Sequence, residues 1–63
     1  MDPELIVEEL ILEVERIRGD IDFMETGAVK FLHDNVDVTA DWIQRQKRTA
    51  DHLEQLASAY RLG

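Results

Sequence analysis

Apolar residues recur at helical spacing in two long parts of the chain. In the first part they form one stripe, made by Ile6, Val7, Leu10, Ile11, Val14 and Ile17. Such a stripe is typical of an amphipathic helix that buries one face. Asp2 can cap this helix, Pro3 suits its first turn, and Gly19 is placed to end it. The pattern therefore predicts a first helix over about residues 3–18.

A second stripe predicts the longest helix, over about residues 39–62. Its spacing alternates between three and four residues, as in a short coiled-coil seam. The seam positions are Ile43, Gln46, Ala50, Leu53, Ala57 and Tyr60. Trp42 and Leu56 share that face, and either Asp37 or Thr39 can cap the helix.

Between these two helices the sequence predicts a short helix and a tight turn. The short helix covers about residues 24–33, with apolar contacts from Ala28, Val29, Phe31 and Leu32. Asn35 tolerates a left-handed backbone and the neighbouring aspartates bond to the local backbone, so residues 34–37 should form a turn. Together these elements predict an all-α fold. It is a compact three-helix bundle whose second and third helices resemble a helix-turn-helix.

Length and composition limit the chain to one small domain with a marginal core. A domain of this size buries only about 60% of the surface that its unfolded chain exposes. Small domains usually add disulfides, a metal or a partner chain. The chain has 63 residues, no cysteine and only two histidines. No cofactor is expected, and association with another chain is the expected supplement.

Charge and hydropathy restrict the expected localisation of the protein and its expected binding partners. No apolar run approaches the roughly 20 residues needed to cross a bilayer, and the acidic start lacks the basic flank of a signal peptide. We therefore expect a cytoplasmic protein without a membrane partner. The net charge of −7 opposes non-specific attraction to DNA. Any binding to nucleic acid must then depend on local charge.

The basic residues cluster in one stretch, residues 42–48, which holds three positive charges and no negative one. On a recognition helix this stretch would face the major groove, where Gln can pair with adenine and Arg with guanine. The candidate DNA-binding residues are Lys30, Gln44, Arg45, Lys47 and Arg48. The alternative is a solvated helix face whose bases pair with the acidic first helix. Asp41 and the acidic turn at residues 34–37 count against DNA.

Three segments resemble small helix-turn-helix proteins of actinobacterial phages. They are the acidic segment 8–15 (EELILEVE), the segment 28–32 (AVKFL) and the basic segment 42–48 (WIQRQKR). That family has an acidic leading helix, a short second helix and a third helix that ends in an Arg-rich stretch. The resemblance covers about residues 8–57 and implies a phage or plasmid regulator of transcription or of a host partner. His33 stands where the family usually has a glycine.

Residues of the catalytic and metal-binding types do not form a recognisable set. Nucleotide pyrophosphohydrolases of the all-α class hold magnesium with acids three residues apart, and no glutamate of the first helix has an acid at that spacing. His33 and His52 lack the partner spacing of a zinc or di-iron site. Ser58 is the only serine and has no histidine at a plausible offset. A non-enzymatic protein without a metal is expected.

Apolar residues exceed what three short helices need for a core. The surplus predicts a dimer or partner interface at Leu5, Leu12, Trp42, Leu53, Leu56 and Tyr60. Two functions follow as hypotheses. The first is a homodimeric helix-turn-helix regulator that binds DNA and controls transcription. The alternative is a non-enzymatic interaction module, of phage or antitoxin-like type, that binds a host or partner protein through its helices.

Overall fold

Two long helices joined by a β-hairpin make up the protein in the computed structural model. The structure describes residues 2–62, and the side chains of residues 2–61. In chain order the elements are α1 (Pro3–Glu25), β1 (Leu32–His33), β2 (Val36–Asp37) and α2 (Thr39–Leu62). The helices lie side by side and antiparallel, in a rod that measures 45 × 16 × 16 Å.

The predicted three-helix bundle is wrong, because α1 continues past residue 18 to Glu25 and no separate helix follows it before α2. Gly19 lies inside α1 rather than at its end. A glycine in a helix interior costs only about 1 kcal/mol. Beyond it, Ile21 and Met24 are buried, with exposures of 4% and 6%, and burying each is worth about 1.5–3 kcal/mol. Packing therefore outweighs the local cost of the glycine.

α1 ends at Glu25, nearly two turns beyond Gly19, and Thr26 and Gly27 follow it. Gly27 has φ +80°, a left-handed conformation that glycine adopts without strain and that commonly follows a helix. The Thr26 hydroxyl donates to the carbonyl oxygen of Phe23 at 2.6 Å and accepts from the N–H of Ala28 at 3.2 Å. These bonds turn the chain away from the helix axis. The predicted start of a second helix is therefore the end of the first.

The predicted turn is confirmed at Asp34 and Asn35, but it joins two strands instead of two helices. Both residues have positive φ, at 51° and 66°, as a tight two-residue hairpin turn requires. The strands pair antiparallel, with Leu32 opposite Asp37. The N–H of Phe31 donates to the Thr39 hydroxyl oxygen at 2.9 Å, which fastens the hairpin to the first turn of α2.

The apolar stripes predicted for the two long helices pack together along one seam, except that Leu56 and Tyr60 of α2 are 44% and 41% exposed. In α1 the buried and half-buried seam residues alternate three and four apart, at Val7, Leu10, Val14, Ile17, Ile21 and Met24. Facing them, Ala50 is completely buried and Ala57 is 6% exposed. Small side chains at these positions let the helix axes approach closely. α2 spans Thr39–Leu62, as predicted.

Ion pairs close one edge of this seam. Arg18 binds Asp51, with 3.4 Å between the nitrogen and oxygen atoms, and also binds Glu54. Hydrogen bonding to Glu54 raises the pKa of Arg18. The N-cap of α1 follows the prediction, since Asp2 accepts the N–H of Glu4 at 3.0 Å. Neither helix is long and apolar enough to cross a membrane.

Candidate interaction surface

The side of α1 opposite the seam carries a second set of residues at coiled-coil spacing, which we call the outer face. Its members are Leu5, Glu9, Leu12, Arg16, Gly19 and Phe23, separated by alternating steps of four and three residues. All six are exposed. Leu5 and Leu12 are each 56% exposed and Phe23 is 54% exposed. One helix thus offers two apolar faces, and the chain covers only one of them.

Carboxylates border the outer face on both sides. At 100° per residue, one border is formed by Glu8, Glu15 and Asp22, and the other by Glu13 and Asp20. Arg16, on the face itself, reaches Glu13 at 3.6 Å. The next base, Arg18, turns instead to the acids of α2. The outer face therefore carries Leu5, Leu12 and Phe23 with one acid and one base, Glu9 and Arg16, between them. Its borders are strongly negative.

Gly19 lies on the outer face, and no neighbouring atom of the described chain requires a glycine there. A Cβ atom built on Gly19 meets no atom within 4 Å. Gly27 likewise meets nothing, but its φ of +80° explains the residue type. Gly19 has no such positive φ. The glycine therefore lowers the helical stability of α1 without relieving any steric clash. Because it has no side chain, the surface of α1 is flat at that point.

The connector end of the rod carries further exposed apolar side chains, of which Val29, Phe31 and Leu32 were predicted to supply contacts of a second helix and Val36 to lie in a turn. Val29 and Phe31 are 41% and 40% exposed, and Leu32 and Val36 are 64% and 60% exposed. The Phe31 ring packs against Trp42, with 4.7 Å between centroids. One sequence signal could have located the hairpin. Asp34 and Asn35 suit a left-handed turn and stand between short runs rich in Val, Phe and Leu.

The predicted interface residues do not share one environment. Leu5, Leu12, Leu56 and Tyr60 are all more than 40% exposed. Leu53 packs against the core cluster instead, and Trp42 is half-buried beside Phe31. The exposed members therefore lie on both helices, with Leu5 and Leu12 on one face of α1 and Leu56 and Tyr60 on one face of α2.

The predicted DNA-binding residues lie on α2 and in the connector. Gln44, Arg45 and Arg48 are exposed. Lys47 pairs with Glu25 of α1 at 3.6 Å, which agrees with the alternative that bases of this segment meet the acidic helix.

Lys30 lies in the connector, near Asp37. The hydroxyl and the N–H of Thr39 hold the pKa of Asp37 below its ordinary value, and the charge of Lys30 adds to this. Because a β-hairpin stands in place of the predicted second helix, the described chain has no helix-turn-helix to present the basic segment to a groove.

Apolar side chains make up the interior of the described part of the chain. Among residues 2–61 no polar or charged side chain is buried. In the same part of the chain, no three His, Asp or Glu side chains are grouped as metal ligands. The interior of the rod is a seam of aliphatic side chains, so its reactive groups all lie on the surface.

No protein-family model, curated protein or solved structure matches the chain. The resemblance to phage proteins stays a prediction, and the short second helix on which it partly depends is replaced by the β-hairpin.

Proposed function

We propose that the protein is a non-enzymatic protein-interaction module whose α1 outer face binds a partner. One observation carries the proposal. Leu5 and Leu12 are each 56% exposed, one heptad apart, on the side of α1 that faces away from α2. Isolated exposed leucines are ordinary. Two at this spacing, in line with Gly19 and Phe23, repeat the geometry by which α1 already packs on α2.

Burial of Leu5 and Leu12 alone would contribute too little free energy to hold a partner. Full burial of a leucine is worth about 1.5–3 kcal/mol, so covering both exposed halves yields about 2–3 kcal/mol. That amounts to about 30- to 150-fold in affinity, whereas a micromolar complex needs about 8 kcal/mol. The remainder must come from neighbouring apolar residues and from charge.

DNA binding is the second candidate, supported by the exposure of Gln44, Arg45 and Arg48 on one helix. It ranks lower because the helix-turn-helix is missing and Lys47 is engaged by Glu25. Homodimer formation stays a prediction as well. Any dimer through the outer face would bring the acidic borders of two copies together, and like charges at such positions are destabilising.

Site-specific photo-crosslinking in cells of the source organism tests the proposal. A photoreactive phenylalanine analogue replaces Leu12 in one variant and Gln55, an exposed polar residue of α2, in the control. We expect a discrete protein adduct from position 12 only, and its loss when Leu5→Glu is added. Adducts from neither position, or equally from both, would contradict a dedicated surface. A gel-shift experiment at low salt addresses DNA in parallel, since phosphate contacts are strongest there.

A further inference from the structure

We infer that the partner of the outer face is an amphipathic helix of another protein, with Lys or Arg on both sides of its apolar stripe. The inference rests on the proposed function and specifies the chemistry of the partner. The shape of the site comes first. An outer face from Leu5 to Phe23 is about 27 Å long at 1.5 Å per residue, which suits a helix of about five turns.

Charge on the borders excludes a second copy of the same face and selects a basic partner. Five exposed acids form the borders, and no base lies on either border. They are Glu8, Glu13, Glu15, Asp20 and Asp22. When two helices pack along a seam, the residues that border the seam on one helix lie beside those on the other. Attraction or repulsion between their charges then selects which helices pair. Two outer faces would oppose acid to acid. A helix with basic borders matches them on both sides.

Gly19 supplies an independent indication of close contact. Its position has open space within the chain, and it lies in line with Leu5 and Leu12 at intervals of seven residues. A glycine on a contacting helix face lets another backbone approach more closely than any side chain allows. The partner helix therefore lies nearest to α1 at Gly19, with leucine contacts on one side and Phe23 on the other.

Binding of a designed peptide to the intact chain tests this assignment. The probe is a fluorescein-labelled amphipathic helix of about 20 residues, with Leu along one face and Lys and Arg at its borders. One control peptide has the same composition in scrambled order, and a second has Glu at the borders. Fluorescence anisotropy should show saturable binding of the first peptide, at least about tenfold tighter than either control. The affinity should fall as salt is added.

Four variants locate the peptide. Leu12→Glu should weaken binding at least about tenfold. Leu32→Glu makes the same change at an exposed leucine of the connector and should leave binding unaltered. The double change Glu8→Gln and Glu15→Gln keeps the leucines, so it should weaken binding and flatten its salt dependence. Gly19→Leu should weaken binding while the helical circular dichroism is retained, since its side chain meets open space in the free chain.

Several results overturn the inference. Equal binding of the scrambled peptide shows attraction by charge alone, and equal binding of the Glu-bordered peptide shows that charge is irrelevant. A dimer in analytical ultracentrifugation that Leu12→Glu abolishes assigns the outer face to a second copy. Absence of peptide binding, together with a crosslinked adduct at position 12, rejects the basic helix but leaves the proposed function standing. Absence of both results rejects the proposed function too.

Discussion

The inner seam and the outer face of α1 have the same repeat and opposite surroundings. On the seam, Val14 and Ile21 are seven residues apart and only 7% and 4% exposed. On the outer face, Leu5 and Leu12 are also seven apart, yet each is 56% exposed. The repeat alone therefore indicates that a helix can pack on either side of α1. The charges beside the repeat distinguish the two faces.

Charge on α2 complements one edge of the seam, whereas no residue of α2 complements the borders of the outer face. Arg18 finds Glu54 and Glu25 finds Lys47 across the seam. The borders of the outer face carry no base, and Arg16, on the face itself, pairs with the border residue Glu13. α1 therefore packs against α2 through its inner face, and α2 does not cover its second, acid-bordered face.

Truncation of one aliphatic residue on each face should separate them most strongly. Ile21→Ala should lower the free energy of unfolding by about 2–5 kcal/mol, because it leaves a cavity in the seam. Leu12→Ala should change that free energy by less than about 0.5 kcal/mol in the isolated chain. Urea denaturation followed by circular dichroism measures both values. Comparable losses in the two variants would show that the outer face is already packed.

Enlarging an alanine should have the next largest effect. Ala50 is completely buried, so Ala50→Leu should force the helices apart and lower the free energy of unfolding by about 1–3 kcal/mol. Ala59 is exposed on the same helix, and Ala59→Leu is the matched control with little expected change. A stable Ala50→Leu variant with an unaltered melting temperature would argue against close packing at that position.

Alanine substitution at the two glycines should move stability in opposite directions. Gly19→Ala should raise the free energy of unfolding by about 0.5–1 kcal/mol, since the helix interior favours alanine and its Cβ meets no atom within 4 Å. Gly27→Ala should lower stability by about 1–2 kcal/mol, because an L-residue is strained in a left-handed conformation. Thermal melts give the sign of each change. A destabilising Gly19→Ala would mean that the fold itself requires this glycine.

Substitution of Arg16 or Arg18 should change stability least. These two arginines lie two residues apart on different sides of α1. Arg18→Gln removes an interhelical ion pair and should lower the melting temperature slightly at low salt. Arg16→Gln removes only a pair within α1 and should matter less. The difference should vanish at high salt because exposed charges are screened. Equal melting temperatures at low salt would show that the Arg18 pair adds nothing to the seam.

Local signals in the sequence identified most of the helical structure correctly. Asp2 and Pro3 mark the start of α1, and the alternating stripe of α2 predicted Thr39–Leu62. The error lay in the choice between two glycines as the end of α1. Gly19 and Gly27 have the same local preference, and only the burial of Ile21 and Met24 against α2 carries the helix past the first one.

The candidate site was predicted in part. Leu5 and Leu12 were recognised as surplus because they fall opposite the main stripe. Phe23 and Gly19 were not, since the predicted helix stopped before it could align them. Leu53 was assigned to an interface although it packs against the core.

By itself, the sequence determined where helices start, how each is striped, and that its acids concentrate in α1, because capping and periodicity act between near neighbours. The tertiary structure decided that α1 passes Gly19, that residues 28–38 form a strand connection, and which of the two apolar faces of α1 is covered. The length of α1 and the choice of covered face depend on contacts between residues far apart in the chain, such as Arg18 with Glu54 and Glu25 with Lys47. Local preferences are worth about 1 kcal/mol or less, and burial across the seam exceeds them.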